Sequence, residues 1–246
     1  MHASSVGAYS RGPKDRAVDE SWPTGGIDTS FYSRHKAAVE RILDSFEAAH
    51  PDMRVVRMRP GLVFKREAAT QIRRLFAGPF LPNPILRRAL IPVVPALERL
   101  RFQAVHTEDL ADAYRLALVR DDTQGAYNIA AEPVLDSETL GEVLRARQLP
   151  VPAAALRLGA SASYLLRLQP TEPGWLDMGL GVPIMDIGRA HRELGWEPRR
   201  TAQEAFAELF DGMRESAALE TPPLARSTSG PARLREILTG VGSTSR

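Results

Sequence analysis

The first strong pattern of apolar and polar residues in this chain predicts an amphipathic helix that starts near residue 28. Each residue of the Asp-Thr-Ser run at 28–30 can cap this helix, and Pro51 ends it after His50. Apolar residues recur along it at helical spacing: Val39, Ile42, Leu43 and Phe46. We expect this face to pack the helix onto a sheet.

The segments that follow alternate between strand-like and helix-like spacing. Short apolar runs predict buried strands at 54–58 and 102–105. Pro60-Gly61 turns the chain at the carboxyl end of the first of these, the edge at which open parallel sheets bind ligands. Further helices are predicted over 108–119, 137–147 and 151–167, and from Asp186 to Gly195.

Two regions have a different character. Between Phe76 and Leu100 there are five prolines among bulky aliphatic residues, a density that the interiors of helices and strands do not accept. We interpret 66–101 as an irregular lobe that shapes substrate choice, with hydrophobic packing alone as the alternative. Residues 216–231 are rich in Ser, Thr, Pro and Ala, which predicts a flexible segment before a short helix at 232–238.

Composition narrows the function classes. The net charge of +2 is the difference between 32 basic and 30 acidic residues, which gives no support for binding to nucleic acid or membranes. The absence of cysteine excludes a disulfide framework, a cysteine metal site and a thiol nucleophile. His106 has no second histidine at ligand spacing, so we predict no metal. We expect a cytoplasmic protein that acts on a small-molecule substrate.

Tyr32 and Lys36 carry the most specific chemistry in the sequence. Four residues apart, they lie on one face of the first predicted helix. A tyrosine that acts as a base near neutral pH needs its phenolate stabilised by about 4 kcal/mol. One ammonium at about 4 Å can supply roughly that much. Ser5, at the end of a short strand, completes a Ser/Tyr/Lys set, while a packing tyrosine and a solvated lysine are the alternative.

Five motifs occur in order along the chain: Ser5 with Tyr32 and Lys36, then 55–64, 102–111, 125–130 and 186–198. Together they resemble the NAD-dependent epimerase/dehydratase branch of the extended short-chain dehydrogenase/reductase family. The resemblance implies an α/β fold that contains the carboxyl-terminal part of a Rossmann-type parallel sheet and a smaller substrate-binding lobe.

The resemblance also implies the roles of individual residues. Tyr32 would be the general acid/base, Lys36 would lower its pKa and hold the nicotinamide ribose, and Ser5 would orient the substrate oxygen. The nicotinamide side would be lined by Pro60, Gly61 and Val63. Arg101 would reach the substrate. The cofactor would be NAD or NADP, and the substrate a secondary alcohol or ketone of sugar-nucleotide or steroid-like type.

That family opens with a Gly-x-x-Gly-x-x-Gly turn that receives the dinucleotide pyrophosphate, and no such run occurs in residues 1–246. We therefore expect an amino-terminally truncated enzyme that by itself binds NAD(P) weakly and can form a homo-oligomer. The alternative is a non-catalytic remnant or interaction module that cannot bind a dinucleotide.

The expected domain organisation follows the same resemblance. Residues 1–65 would belong to the dinucleotide-binding domain, to which 102–120 return. Residues 66–215 would form mainly the substrate-binding lobe, and 216–246 a flexible tail with a short helix.

Overall fold

The computed structural model of the protein describes residues 1–69, 71–72, 93–168, 171–215 and 217–221. Most of the predicted proline-rich lobe and the predicted helix at 232–238 lie outside the described residues. The chain divides into two compact units. The first comprises Met1–Val63, Glu98–Asp136 and Asp177–Ala202, and the second Phe64–Leu97, Ser137–Leu176 and Gln203–Arg246.

The elements up to the middle of the described chain are, in order, β1 (His2–Ala3), β2 (Ala17–Val18), α1 (Phe31–Ala49), β3 (Val56–Pro60), β4 (Leu62–Phe64), β5 (Val93–Ala96), β6 (Arg101–His106) and α2 (Thr107–Val119). They are followed by β7 (Gly125–Ile129), β8 (Ala131–Asp136), α3 (Ser137–Leu144), β9 (Arg147–Pro150), α4 (Ala153–Leu165), α5 (Gly174–Gly181), β10 (Ile184–Met185) and α6 (Ala202–Glu215). This is a mixed α/β fold, as the sequence predicted.

A parallel sheet with strand order β1-β3-β7 forms the centre of the first unit. All five residues of β3 are buried, and its side chains alternate between the two faces of the sheet. Val56 and Met58 enter a hydrophobic core that includes Tyr127, Ile129 and Trp196. Arg57 and Arg59 point to the opposite face, where both contact the same helix, α1.

Helix α1 begins after Ser30, whose hydroxyl accepts a hydrogen bond from the Ser33 N–H. Its fully buried residues are Ser33, Ala37 and Glu40. The predicted apolar face is wrong at two of its four residues, because Ile42 is 65% exposed and Phe46 is 38% exposed, while Val39 and Leu43 are half-buried. The two arginines of β3 explain the difference, since they draw the carboxylate of Glu40 against the sheet in place of the larger aliphatic side chains.

The carboxyl-terminal motif of the first unit folds as predicted. The Asp186 carboxylate accepts a hydrogen bond of 2.7 Å from the Gly188 N–H. The following helical turn, which is a π-helix over Ala190–Leu194, ends at Gly195 with a φ of 64°. This positive φ favours glycine. The Trp196 indole then donates to the Asp109 carbonyl at 2.8 Å, which ties the motif to α2.

The second unit contains the parallel pair β5–β9 and helix α3. Helix α3 is shorter than predicted and ends at Leu144, because Arg145 takes a left-handed φ of 54°. The chain then enters β9. The expected organisation, with 102–120 returning to the first domain and a lobe mainly over 66–215, stays a prediction. In the observed division, 98–136 and 177–202 lie in the first unit.

Among the described residues, no helix is both long and apolar enough to cross a membrane.

Candidate active site

The short turn that follows β1, here called the serine turn (residues 4–9), holds Ser5. Ser5 is buried, with 7% of its surface exposed, and its extended backbone precedes a 3-10 turn over Val6–Ala8. The Ser5 hydroxyl oxygen accepts a hydrogen bond from the Gly7 N–H at 3.0 Å. Within the described part of the chain its own hydrogen has no acceptor, so Ser5 can still donate to a substrate oxygen.

Helix α1 brings Tyr32 and Lys36 to the same turn. The Lys36 ammonium donates to the Ala3 carbonyl at 2.7 Å and lies 5.7 Å from the centre of the Tyr32 ring. Burial lowers the pKa of Lys36, while the charge of Glu40 acts in the opposite direction. One of the three ammonium N–H groups is used by Ala3, which leaves donors for a ribose hydroxyl.

Gly7 permits the close approach of Tyr32. A Cβ atom at Gly7 would lie 3.0 Å from Cε1 of the Tyr32 ring and 2.9 Å from the sulfur of Met178. The Gly7 carbonyl in turn accepts a hydrogen bond of 2.5 Å from the Ser33 hydroxyl. The structure therefore brings the turn that carries Ser5 against the first turns of α1, where the other two predicted catalytic residues lie.

The predicted nicotinamide-side residues follow the carboxyl end of β3. Pro60 is buried as the last residue of this strand, and the Gly61 N–H donates to the Ile129 carbonyl at 3.0 Å. A Cβ atom at Gly61 would lie 2.5 Å from the Gln103 carbonyl oxygen, so the backbone packing requires glycine there. Val63 packs against the hydrophobic core. Their contact with a cofactor stays a prediction.

Arg101 lies in a group of three cations that the sequence analysis did not bring together. The Lys14 ammonium donates to the carbonyls of Arg101 and Gly179 at 2.7 and 2.8 Å. Arg99 donates to the carbonyls of Leu180 and Gly12. Within the described residues none of the three cations forms an ion pair, and Arg101 Nε is buried without a hydrogen-bond partner.

The pKa of Lys14 reflects this setting. Lys14 is 6% exposed. Burial, followed by the charges of Arg99 and Arg101, lowers its pKa to about 7. Lys14 contacts Gly179, and the preceding residue in α5, Met178, has its sulfur beside Gly7. The cationic group therefore lies close to the serine turn.

Sequence reasoning missed the residues that hold this arrangement together. Ser33 binds the Gly7 carbonyl, and Glu40 accepts a hydrogen bond of 2.5 Å from the Ser4 hydroxyl. One signal was present in the sequence: Glu40 continues the helical stripe of Tyr32 and Lys36 by one more turn. His106, considered above as a metal ligand, accepts a hydrogen bond from the Glu108 N–H and caps α2. The described residues contain no cluster that could hold a metal ion.

Several proteins resemble this chain. An uncharacterized protein of Mycobacterium tuberculosis is 26% identical over 223 residues, which is 88% of this chain and 52% of that protein. The structure of Thermus thermophilus UDP-glucose 4-epimerase, solved with NAD, is similar with a TM-score of 0.55 and 20% sequence identity. The matched region is 87% of this chain and 63% of the epimerase chain. DesIV, a dTDP-glucose 4,6-dehydratase from Streptomyces venezuelae, has a TM-score of 0.53 at 16% identity, with coverages of 87% and 59%.

The structural neighbours show the fold, and this chain spans about half the length of the curated relatives it matches. The family match is more specific. The sequence model of the NAD-dependent epimerase/dehydratase family matches residues 1–130, which include the serine turn, α1 and β3. This chain therefore belongs to the NAD-dependent epimerase/dehydratase family.

Proposed function

We propose that this chain supplies the proton-transferring side chains of an NAD-linked enzyme that acts on a secondary alcohol or ketone of a sugar nucleotide. The observation that carries the proposal is the contact of Lys36 with the Ala3 carbonyl, beside Tyr32 and the serine turn. In support, the Lys36 ammonium contacts the last residue of β1 and lies 5.7 Å from the centre of the Tyr32 ring, and Ser5 follows the same strand, at the edge where parallel sheets bind ligands.

Each side chain has a role that its contacts allow. Tyr32 moves the proton of the substrate oxygen. Ser5 donates a hydrogen bond to the same oxygen, because its hydroxyl hydrogen has no acceptor among the described residues. Lys36 would hold the nicotinamide ribose with its remaining N–H groups.

The residues present fit the nicotinamide end of the cofactor. Lys36 offers N–H donors, and the carboxyl ends of β1 and β3 lie in neighbouring positions of the sheet. When bound, the nicotinamide supplies hydride transfer. The proposal of NAD rests on the neighbours solved with NAD, the Thermus thermophilus epimerase and the Streptomyces venezuelae dehydratase among them.

The cationic group of Lys14, Arg99 and Arg101 favours a sugar nucleotide over a steroid-like substrate. A diphosphate would give these three cations the anionic partner that the described residues do not provide. A steroid would leave them without one. The names of the neighbours support the same choice, since they include a UDP-glucose 4-epimerase and a dTDP-glucose 4,6-dehydratase.

Calorimetric titration with UDP-glucose and dTDP-glucose tests the substrate class. We expect Arg101→Ala to weaken binding by about tenfold or more, because a charge-assisted contact is lost. Arg115→Ala is the matched control, since Arg115 is exposed and pairs with Asp112 on the surface of α2. Equal binding by Arg101→Ala and the control would contradict the assignment.

Turnover tests the reaction class. A form of the protein that binds NAD is incubated with NAD and each sugar nucleotide, and the products are identified by NMR. The proposal predicts a change in configuration or oxidation state at a secondary alcohol carbon of the sugar. No change with any sugar nucleotide, with either NAD or NADP, would favour the alternative of a non-catalytic interaction module.

A further inference from the structure

A buried ion pair lies between α1 and the central sheet. Arg59 donates to both carboxylate oxygens of Glu40, with Nε to Oε1 at 3.0 Å and Nη2 to Oε2 at 2.9 Å. Arg57 adds a third contact at 3.0 Å. The Glu40 side chain is fully buried, and the two arginine side chains are each 5% exposed. These contacts lower the pKa of Glu40 to about 2, so the carboxylate stays charged.

The same pair holds both ends of the serine turn, residues 4–9. At the first end, the Ser4 hydroxyl donates to Glu40 at 2.5 Å. At the other end, Arg59 Nη1 donates to the Tyr9 hydroxyl at 2.9 Å, and the guanidinium lies 4.8 Å from the centre of the Tyr9 ring. Ser5 and Gly7 lie between these two anchors.

Stability alone is a weak explanation for this pair. Removing two charges from water is costly, and replacing a buried ion pair by well-packed apolar residues is often neutral or stabilising. Burying an arginine and a glutamate here therefore calls for a role in geometry. The contacts give one, because both charged partners also bind the turn that carries Ser5.

We propose that the Glu40–Arg59 pair is a clamp that fixes the serine turn against α1, so that Glu40 and Arg59 are positioning residues for Ser5, Tyr32 and Lys36. The clamp sets the distance between the turn and the helix at Ser4 and Tyr9. The contact of Gly7 with the Tyr32 ring and that of Ala3 with Lys36 depend on this distance. The catalytic part of the inference rests on the proposed function.

Two conservative variants release the clamp from the turn and leave the ion pair intact. Ser4→Ala removes the hydrogen bond at one end. Tyr9→Phe removes the hydrogen bond at the other, together with the one that the Tyr9 hydroxyl donates to Asn128 Oδ1 at 2.7 Å, so Ser4→Ala is the cleaner of the two variants. Amide hydrogen exchange, read by NMR, measures the result at Gly7 and Ala8, whose N–H groups bond within the turn. We expect exchange there to accelerate about fivefold to tenfold relative to the amides of β3.

Two further carboxylates provide the matched controls. Asp44 and Glu47 also bind Arg57, but neither contacts the serine turn. Asp44→Asn and Glu47→Gln should leave exchange in the turn unchanged relative to β3. Glu40→Gln should loosen both ends together, and if that variant fails to fold, Ser4→Ala and Tyr9→Phe still decide the question.

A second readout separates positioning from packing. Since Lys36 is held at Ala3, release of the turn should alter the NMR titration of the Lys36 side chain, and the two controls should not. In a form of the protein that binds NAD, Ser4→Ala should lower kcat with little change in KM. The clamp is refuted if Ser4→Ala and Tyr9→Phe show the same amide exchange in the serine turn, and the same Lys36 titration, as Asp44→Asn and Glu47→Gln. If Tyr32→Phe retains full turnover, the proposed function fails, while the exchange measurement still decides the clamp.

Discussion

Lys14 provides a prediction whose magnitude can be worked out from the structure. Its ammonium is buried beside Arg99 and Arg101, and its two hydrogen bonds go to neutral carbonyl oxygens. No carboxylate among the described residues pairs with it. Replacing it by methionine keeps most of the side-chain volume and removes the charge. Lys14 titrates and methionine does not. The change with pH in the difference between their free energies of unfolding therefore measures the cost of burying the charge.

The sign follows from the proton balance. The pKa of Lys14 is about 7 in the folded protein against 10.5 ordinarily. Between these values the unfolded chain binds more protons, so the free energy of unfolding rises with pH. The full cost of the buried charge, about 5 kcal/mol, applies below pH 7 and disappears above 10.5. The free energy of unfolding of wild type, relative to that of Lys14→Met, should therefore rise by about 1.4 kcal/mol for each pH unit between pH 7 and 10.5.

Urea unfolding of wild type and Lys14→Met at pH 7.5, 8.5 and 9.5 measures this difference. The two lost hydrogen bonds add a constant cost of about 1 kcal/mol each to the variant, which does not alter the slope. Lys14 can also be titrated directly by NMR, because the chain has only three lysines. A difference that does not change with pH, or a Lys14 pKa near 10, would refute the reasoning.

Substitutions at glycines give further expectations. Gly61→Ala places its Cβ against backbone atoms and should lower the free energy of unfolding by about 1–3 kcal/mol in urea. Gly159→Ala, with open space around it in α4, is the control and should be neutral or stabilising by up to about 1 kcal/mol. A methyl group at Gly7 would meet the movable ring of Tyr32, so Gly7→Ala should lower turnover while changing the free energy of unfolding little. A normal turnover rate would contradict that contact.

Much of the site could be predicted from the sequence because its parts are local. Tyr32 and Lys36 share a helical face by their spacing alone, and Ser5 follows a strand that pairs in parallel with β3. The order of the motifs then identified the family, which the match over residues 1–130 confirms. Candidate residues that lie close together in the sequence could therefore be identified without the structure.

The orientation of α1 could not be predicted in the same way. Hydrophobic periodicity assigned its buried face to residues such as Ile42 and Phe46, which are exposed. The actual face contains Glu40, and its burial depends on Arg57 and Arg59 in a strand that follows the helix. A pattern of apolar residues carries no information about a charged side chain that is buried through its partners.

The cationic group was missed because its contacts are distant in sequence. The hydrogen bonds of Lys14 join residues 87 and 165 positions apart. Only the folded chain brings the end of α5 to the loop after the serine turn. Arg101 was identified by resemblance, whereas Lys14 and Arg99 gave no signal of their own.

The role of Tyr32 is the central claim, and the turnover of Tyr32→Phe in a form of the protein that binds NAD tests it most directly. Sugar-nucleotide conversion is measured with NAD present, and NAD binding is measured in parallel. The account predicts that kcat falls by about a hundredfold to ten-thousandfold, because the proton transfer is lost, while NAD binding is nearly unchanged because the ring remains. Equal turnover by Tyr32→Phe and wild type would contradict the account.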